Sequence, residues 1–250
     1  MKTNNRCLIL VADAHIRGGE QGKSFFRMLS LISGLPPDCA AVFLGDIFDL
    51  WLALPGYETM EQKRFLVWCR KEKMRRDVCF LEGNHEFFVA SKHGKIFTCA
   101  FSDRLEYGDV LLVHGDRINR KDPAYAFLRL LLRNPISKQL IRTAAPGGFG
   151  PFLAWKIRYG LAGMNQEQKK HFPEGEAAAR MEQAEKRGFR RIITGHFHSE
   201  RHLKSSNGCL LDAMPPFLNK GEIGVYNIAS KVLTTGPFEP LIHQIRSRKI

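Results

Sequence analysis

The sequence predicts a layered α/β fold, and three observations carry that prediction. Short apolar runs recur at residues 8–12, 40–44, 78–81, 110–113 and 192–193. Helix-patterned stretches such as 24–33 and 61–73 lie between them. Each run ends abruptly on polar side chains: Asp13, Asp46, Asn84, His114 and His196 stand at or just beyond the five ends. Short unbroken apolar runs read as strands covered on both faces. Strands alternating with helices bury a sheet between helical layers. Ligands in such sheets gather beyond the carboxyl ends of strands, where these polar residues fall.

Taken in order, the first run stops at Asp13, with His15 two residues on. A secretory leader needs an apolar region of roughly 7–15 residues, and Asp13 interrupts this one. No later run approaches the roughly 20 residues of a spanning helix, so a soluble chain is expected. The second run turns at Gly45-Asp46, and the third at Gly83-Asn84-His85-Glu86. Glycine permits such sharp exits from a strand. The basic stretch 70–76 between them reads as the solvated end of a helix. The fourth run leads into His114-Gly115-Asp116 and the fifth into Gly195-His196-Phe197-His198. Residues 117–188 differ: they are helical in pattern, basic at first (Arg117, Arg120, Lys121, Arg129) and broken by Pro146-Gly147-Gly148. They read as a helical insertion or lid within a single domain of residues 1–250. From Leu210 onward the pattern returns to short strands.

At 250 residues the length fits one larger domain, and 44% hydrophobic with 25% charged residues excludes a disordered chain. The net charge of +13 fits an anionic partner (nucleic acid, a phosphorylated substrate or an acidic lipid surface) or a solvated surface that is rich in Lys and Arg. No nucleic-acid-binding module is recognisable, which disfavours the first. The six cysteines are scattered without a C-x-x-C pair. That pattern predicts reduced thiols in a cytoplasmic protein.

Singly, Asp13-x-His15 or Gly45-Asp46 is a common pattern. Together, in this order and each at a strand end, the five motifs predict a two-metal hydrolytic site. Two ions roughly 3.5–4 Å apart can clamp the attacking and leaving oxygens of an in-line displacement. Imidazole with carboxylate suits Mn, Fe, Zn or Ni better than Ca or Mg. Alternation would point both members of Asp13-x-His15, and of His196-x-His198, the same way if the backbone stayed extended.

The motif set resembles the calcineurin-like metallophosphoesterase family over residues 8–198. The resemblance implies a four-layer αββα sandwich with two divalent transition metals, most simply Mn2+, at its edge. It implies Asp13, His15, Asp46 and His198 around one ion. Asp46, Asn84, His114 and His196 would surround the other, with Asp46 bridging. His85 would act as general acid or phosphoryl donor, and Asn84 and His85 would form the catalytic pair.

Within that family, the block from Gly45 to Trp51 and the spacing of Asp122, Tyr125 and Arg129 after His114 resemble the UDP-2,3-diacylglucosamine diphosphatases of lipid A synthesis. That likeness implies a lipid-linked sugar nucleotide as substrate and Trp51, Asp122, Tyr125 and Lys169 as its contacts. It also implies a lid lined by Phe127, Leu130, Leu131, Phe152 and Trp155. The expected place is the cytoplasm, on the anionic inner face of the inner membrane. This chain has His85 where that group usually carries Arg. Two rival readings remain: a phosphoesterase of other specificity (nuclease, nucleotide or protein phosphatase), and a silent scaffold of the same fold.

Overall fold

The structure, a computed structural model, describes residues 5–118 and 172–249 together with positions 134, 139 and 143. Two sheets stack face to face. The first has six strands, and their chain order is β1 (Cys7–Val11), β2 (Cys39–Phe43), β4 (Val78–Leu81), β6 (Cys99–Phe101), β12 (Glu222–Asn227) and β13 (Val232–Pro237). In space they run β13-β12-β1-β2-β4-β6. β1, β2, β4 and β6 are parallel, and β12 and β13 close one edge antiparallel. The second sheet runs β10-β11-β9-β8-β7. Its strands are β7 (Arg104–Tyr107), β8 (Val110–Val113), β9 (Arg191–Thr194), β10 (Arg201–Lys204) and β11 (Leu210–Ala213). A two-stranded ribbon, β3 (Trp51–Leu52) with β5 (Glu86–Phe87), completes the set among the described residues.

Alternation along the strands builds the layers. On β1, Cys7, Ile9 and Val11 face an outer core shared with α1 (Gly19–Ser33), α2 (Met60–Glu72) and a C-terminal helix, Phe238–Arg246. Leu8 and Leu10 face inward, meeting Leu112, Ile193 and Met214 between the sheets. A third cluster lies beyond the second sheet, where Ala177, Met181 and Ala184 of helix Glu174–Glu185 pack on Leu111, Val113, Ile192 and Leu211. With a short helix α3 (Val89–His93), these two become α4 (Glu174–Glu185) and α5 (Phe238–Arg246). The layering is αββα, as the resemblance implies.

Two expectations need correction. The sequence pattern carries the insertion to residue 188, but α4 belongs to the fourth layer: its apolar face is buried against the second sheet instead of covering a site. Cysteine usage also differs. Cys7 and Cys39 oppose each other in register on β1 and β2, as do Cys79 and Cys99 on β4 and β6. The structure pairs both sets as disulfides, with Cα–Cα separations of 4.7 and 4.8 Å. Only Cys69 and Cys209 are free, and both are buried. Scattering in sequence conceals this, because adjacent parallel strands bring together residues 32 and 20 positions apart.

Candidate metal centre

Parallel strands deliver their carboxyl ends to one edge of each sheet. β1, β2 and β4 bring Asp13 and His15, Asp46, and Asn84 and His85; β8 and β9 bring His114, and His196 and His198. The loops beyond the strands are laced together. Asp13 N–H donates to Gly45 O (3.1 Å), His15 N–H to Asp46 O (2.9 Å) and Gly195 N–H to His114 O (2.9 Å).

The D-x-H and H-x-H pairs do share one site, but not through extended backbone. Asp13 (φ 52°), His15 (φ 45°), Asp46 (φ 53°), His196 (φ 72°) and His198 (φ 51°) all lie in the left-handed region. Each such residue costs of order 1–3 kcal/mol and persists only where its surroundings over-determine it. Gly45 and Gly83 make the crowding possible. A Cβ on Gly45 (φ 89°) would stand 2.7 Å from His114 Nδ1, and one on Gly83 would collide with the Asp46 carboxylate.

Asp46 is the hub. Its Oδ2 lies 3.7 Å from His15 Nε2, 3.5 Å from His114 Nε2 and 3.8 Å from His85 Nε2. Asn84 Oδ1 lies 3.0 Å from both His114 Nε2 and His196 Nδ1. His198 Nε2 is 3.2 Å from His15 Nε2 and 3.5 Å from Asp13 Oδ1. Backbone carbonyls fix two rings: His114 Nδ1 donates to Leu44 O (2.8 Å) and His85 Nδ1 to Asp49 O (2.5 Å). Each ring thereby turns Nε2 toward Asp46. Such carbonyl partners set the tautomer of metal-binding histidines.

Burial and charge work against each other here. Burial alone would raise the Asp46 pKa, but His85 and His114 hold it well below the usual carboxylate range. Burial disfavours charge on His114, yet the Asp46 carboxylate pushes it up to about 9. Burial pushes His15 down to about 3. Protein groups alone thus draw a proton onto His114 to offset the carboxylates. Asp13 Oδ1 is buried with no hydrogen-bond donor among the described residues. Three groups of donors each converge within 4.8 Å: Asp13, His15, His198; Asp46, His114, His196; and His15, Asp49, His85. Clustered carboxylate and imidazole donors fit divalent transition ions.

Every sequence-predicted ligand is therefore in one place. Of the predicted substrate contacts, Asp122, Tyr125 and Lys169 lie outside the described residues. Trp51 is a correction: it is fully buried, edge-on to Phe48 and Phe80, and its Nε1 donates to Glu58 Oε1 (3.2 Å). Its place after Gly45-Asp46 is a core position in β3, not a rim. Two further residues escape the sequence reading. Glu86, fully buried, accepts N–H bonds from Asp46 (2.8 Å), Ile47 (2.6 Å) and Gly83 (2.7 Å). Asp49, bound by Arg17 Nη2 at 2.7 Å, holds His85 through its carbonyl. Their signals are the acid closing Gly-Asn-His-Glu and the second Asp of Gly-Asp-x-x-Asp.

The chain is similar to a UDP-2,3-diacylglucosamine hydrolase of Pseudomonas putida, 28% identical over 142 residues, 54% of this chain and 58% of that one. It thus spans little more than half of that relative's length. It is similar to a Pseudomonas fluorescens protein of the same name, 27% identical over 206 residues, 76% of this chain and 78% of that one. Among solved structures, a cold-active protein tyrosine phosphatase is 17% identical with TM-score 0.49, covering 94% of this chain and 77% of that one. An E. coli phosphoesterase is 12% identical with TM-score 0.42, covering 94% of each chain. The calcineurin-like phosphoesterase family profile matches residues 8–200. That span takes in both sheets' strand ends and every donor around Asp46, and the chain belongs to the calcineurin-like phosphoesterase family.

Proposed function

We propose that this chain is a two-metal hydrolase of a phosphate anhydride, and that its substrate is UDP-2,3-diacylglucosamine. The products are UMP and 2,3-diacylglucosamine 1-phosphate. The observation that carries the hydrolase reading is the convergence of donors from both sheets on one buried carboxylate, Asp46. Asp13, His15, Asp46 and His198 would hold one ion, and Asp46, Asn84, His114 and His196 the other, with Mn2+ the expected metal. When bound, the ions supply Lewis acidity that polarises the phosphoryl oxygens and offsets developing charge. Water adds to one phosphorus of the diphosphate, the bridging P–O bond breaks, and the departing phosphate takes up a proton. His85 is suited to supply or hydrogen-bond that proton, because Asp49 O fixes its Nδ1–H and its Nε2 faces Asp46.

The substrate rests on the relatives' name and on the motif spacing, with Asp122, Tyr125 and Lys169 as its proposed contacts. A lipid-linked substrate implies a protein peripheral on an anionic inner membrane. No helix among the described residues is long and apolar enough to cross a membrane. The second reading is a phosphoesterase of other specificity, favoured by His85 within Gly-Asn-His-Glu. The discriminating measurement is kcat/KM for UDP-2,3-diacylglucosamine against UDP-glucosamine, in detergent with Mn2+, using Asp46→Ala as the inactive control. Each acyl methylene that is buried contributes about 0.8 kcal/mol, so the acylated substrate should win by orders of magnitude. Equal values, or faster cleavage of single-stranded nucleic acid, would establish the second reading.

A further inference from the structure

Five large apolar side chains are exposed among the described residues: Met60, Val67, Met74, Phe101 and Val232. Three of them lie on one face of α2 and the turn that follows it. Met60 (74% exposed), Val67 (55%) and Met74 (84%) are seven residues apart. Seven residues bring a helix almost back to the same azimuth, with a drift of only about 20°. They therefore form a single ridge along the outer surface of the helix, opposite buried Phe65, Leu66 and Cys69.

Cations flank that ridge on both sides. Lys63 and Arg70 lie along one side, Arg64 and Lys71 along the other, and all four are exposed. None of the four has an ion-pair partner among the described residues. Arg64 lies with its guanidinium carbon 4.0 Å from the centre of the Phe26 ring, extending the cationic face toward α1. The acids of α2 do not offset this: Glu72 is buried and bound to Arg76, and Glu61 stands beside Gly18.

We infer that this face of α2 is a docking surface for an anionic lipid bilayer. Charge complementarity and the pattern together select that occupant. A partner helix would need apolar residues alternating three and four apart; here the intervening positions are Lys63, Arg64, Arg70 and Lys71. An acidic lipid surface accepts both kinds of side chain at once. The ridge enters the boundary between headgroups and acyl chains, while Lys and Arg reach the phosphates. The inference rests on the lipid-substrate reading for its place in the reaction. A protein held on the leaflet by α2 meets a substrate anchored there.

The test is partition of the metal-loaded full chain onto phosphatidylcholine vesicles with and without phosphatidylglycerol. Binding should require the anionic lipid and weaken with salt. Two variants divide the surface: K63Q/R70Q/K71Q and M60S/V67S/M74S. Each basic residue near an anionic leaflet contributes roughly a fivefold factor, so the first variant should lower partition at least tenfold. The second removes three apolar side chains, each worth about tenfold or more (about 1.5–3 kcal/mol) when fully buried, and should lower it at least tenfold as well. Turnover of a water-soluble chromogenic phosphodiester should stay at the wild-type rate, since all six positions are exposed and none is among the proposed metal ligands. The inference is overturned if wild type does not bind anionic vesicles, if both variants bind as well as wild type, or if the face binds polyglutamate but not vesicles. Failure of the substrate reading looks different: vesicle binding would persist while acylated and deacylated sugar nucleotides were hydrolysed equally.

Discussion

His85 and Glu86 are consecutive, yet they meet Asp46 by different routes. His85 Nε2 stands 3.8 Å from Asp46 Oδ2, and its ring is fixed by Asp49 O. If it serves the leaving oxygen, His85→Ala should keep both ions and slow turnover by roughly 10²–10⁴-fold, the usual worth of a positioned proton donor. Metal analysis beside the rate decides this. The convergence of His15, Asp49 and His85 gives the rival outcome, in which loss of an ion would make His85 a ligand. Glu86 acts through backbone N–H groups. It gathers the N–H groups of Asp46, Ile47 and Gly83 and so holds the loop that presents the Asp46 carboxylate. Glu86→Gln keeps the size but turns an amide NH2 toward N–H donors. Metal affinity should fall roughly 10–100-fold, as for other outer supports of a metal site. Unchanged affinity by calorimetric titration would remove Glu86 from that role.

At the scale of elements, a buried ion pair fixes where α2 hands over to β4. Arg76 is fully buried; it donates to Glu72 Oε1 (2.7 Å) and to the carbonyls of Leu35, Pro36 and Cys39. Arg76→Met would leave Glu72 and three carbonyls without that donor. Removing one partner of such a pair costs about 3–5 kcal/mol. Denaturant unfolding should register that loss while the folded fraction still turns over. A midpoint equal to wild type would mean that water replaces the guanidinium. Arg76 also illustrates what is legible in the sequence. In the basic run 70–76 it looks like one more solvated cation, because the carbonyls it binds come from 37–41 residues away. Strands β1, β2, β4, β8 and β9 are readable because burial on both faces leaves an unbroken apolar run. Helix α2 is readable within a residue at each end from its period. Helix α1 begins five residues before the apolar pattern does. Its glycine-rich first turn is held by tertiary contact, including Gln21 Nε2 to Ala14 O at 2.6 Å. Ribbon β3–β5 is invisible: two residues a strand carry no period, and Trp51 is misplaced with it.

Across the whole molecule, the candidate donors come from both sheets, so bound ions would join the two halves of the sandwich. Ligand binding to the native state adds RT ln(1 + [L]/Kd), about 4.1 kcal/mol at a thousandfold excess over Kd. For a chain of this size roughly 2–4 °C accompany each kcal/mol, so chelation should lower Tm by about 8–16 °C. The pH dependence is more specific. In the metal-free protein His114 is raised from 6.5 to about 9, chiefly by Asp46 acting against burial. That contribution to stability is complete below pH 6.5 and is lost as pH rises through about 9. Glu86, pushed up from 4.5 to about 8 by burial and by Asp46, loses stability in the same direction as pH climbs through that interval. The stripped protein should therefore weaken by a few kcal/mol between pH 6.5 and 9, since each tenfold difference in proton affinity between folded and unfolded chains is worth about 1.4 kcal/mol. In the loaded protein, bound ions would supply the charge that the proton supplied, and His114 would stay neutral. Its stability should be nearly flat over the same interval, and the gap between the two curves should widen as pH rises. Chemical unfolding of both forms across that range measures the gap. Parallel curves would mean that Asp46 and His114 do not face a cation, and the two-metal assignment would fall with them.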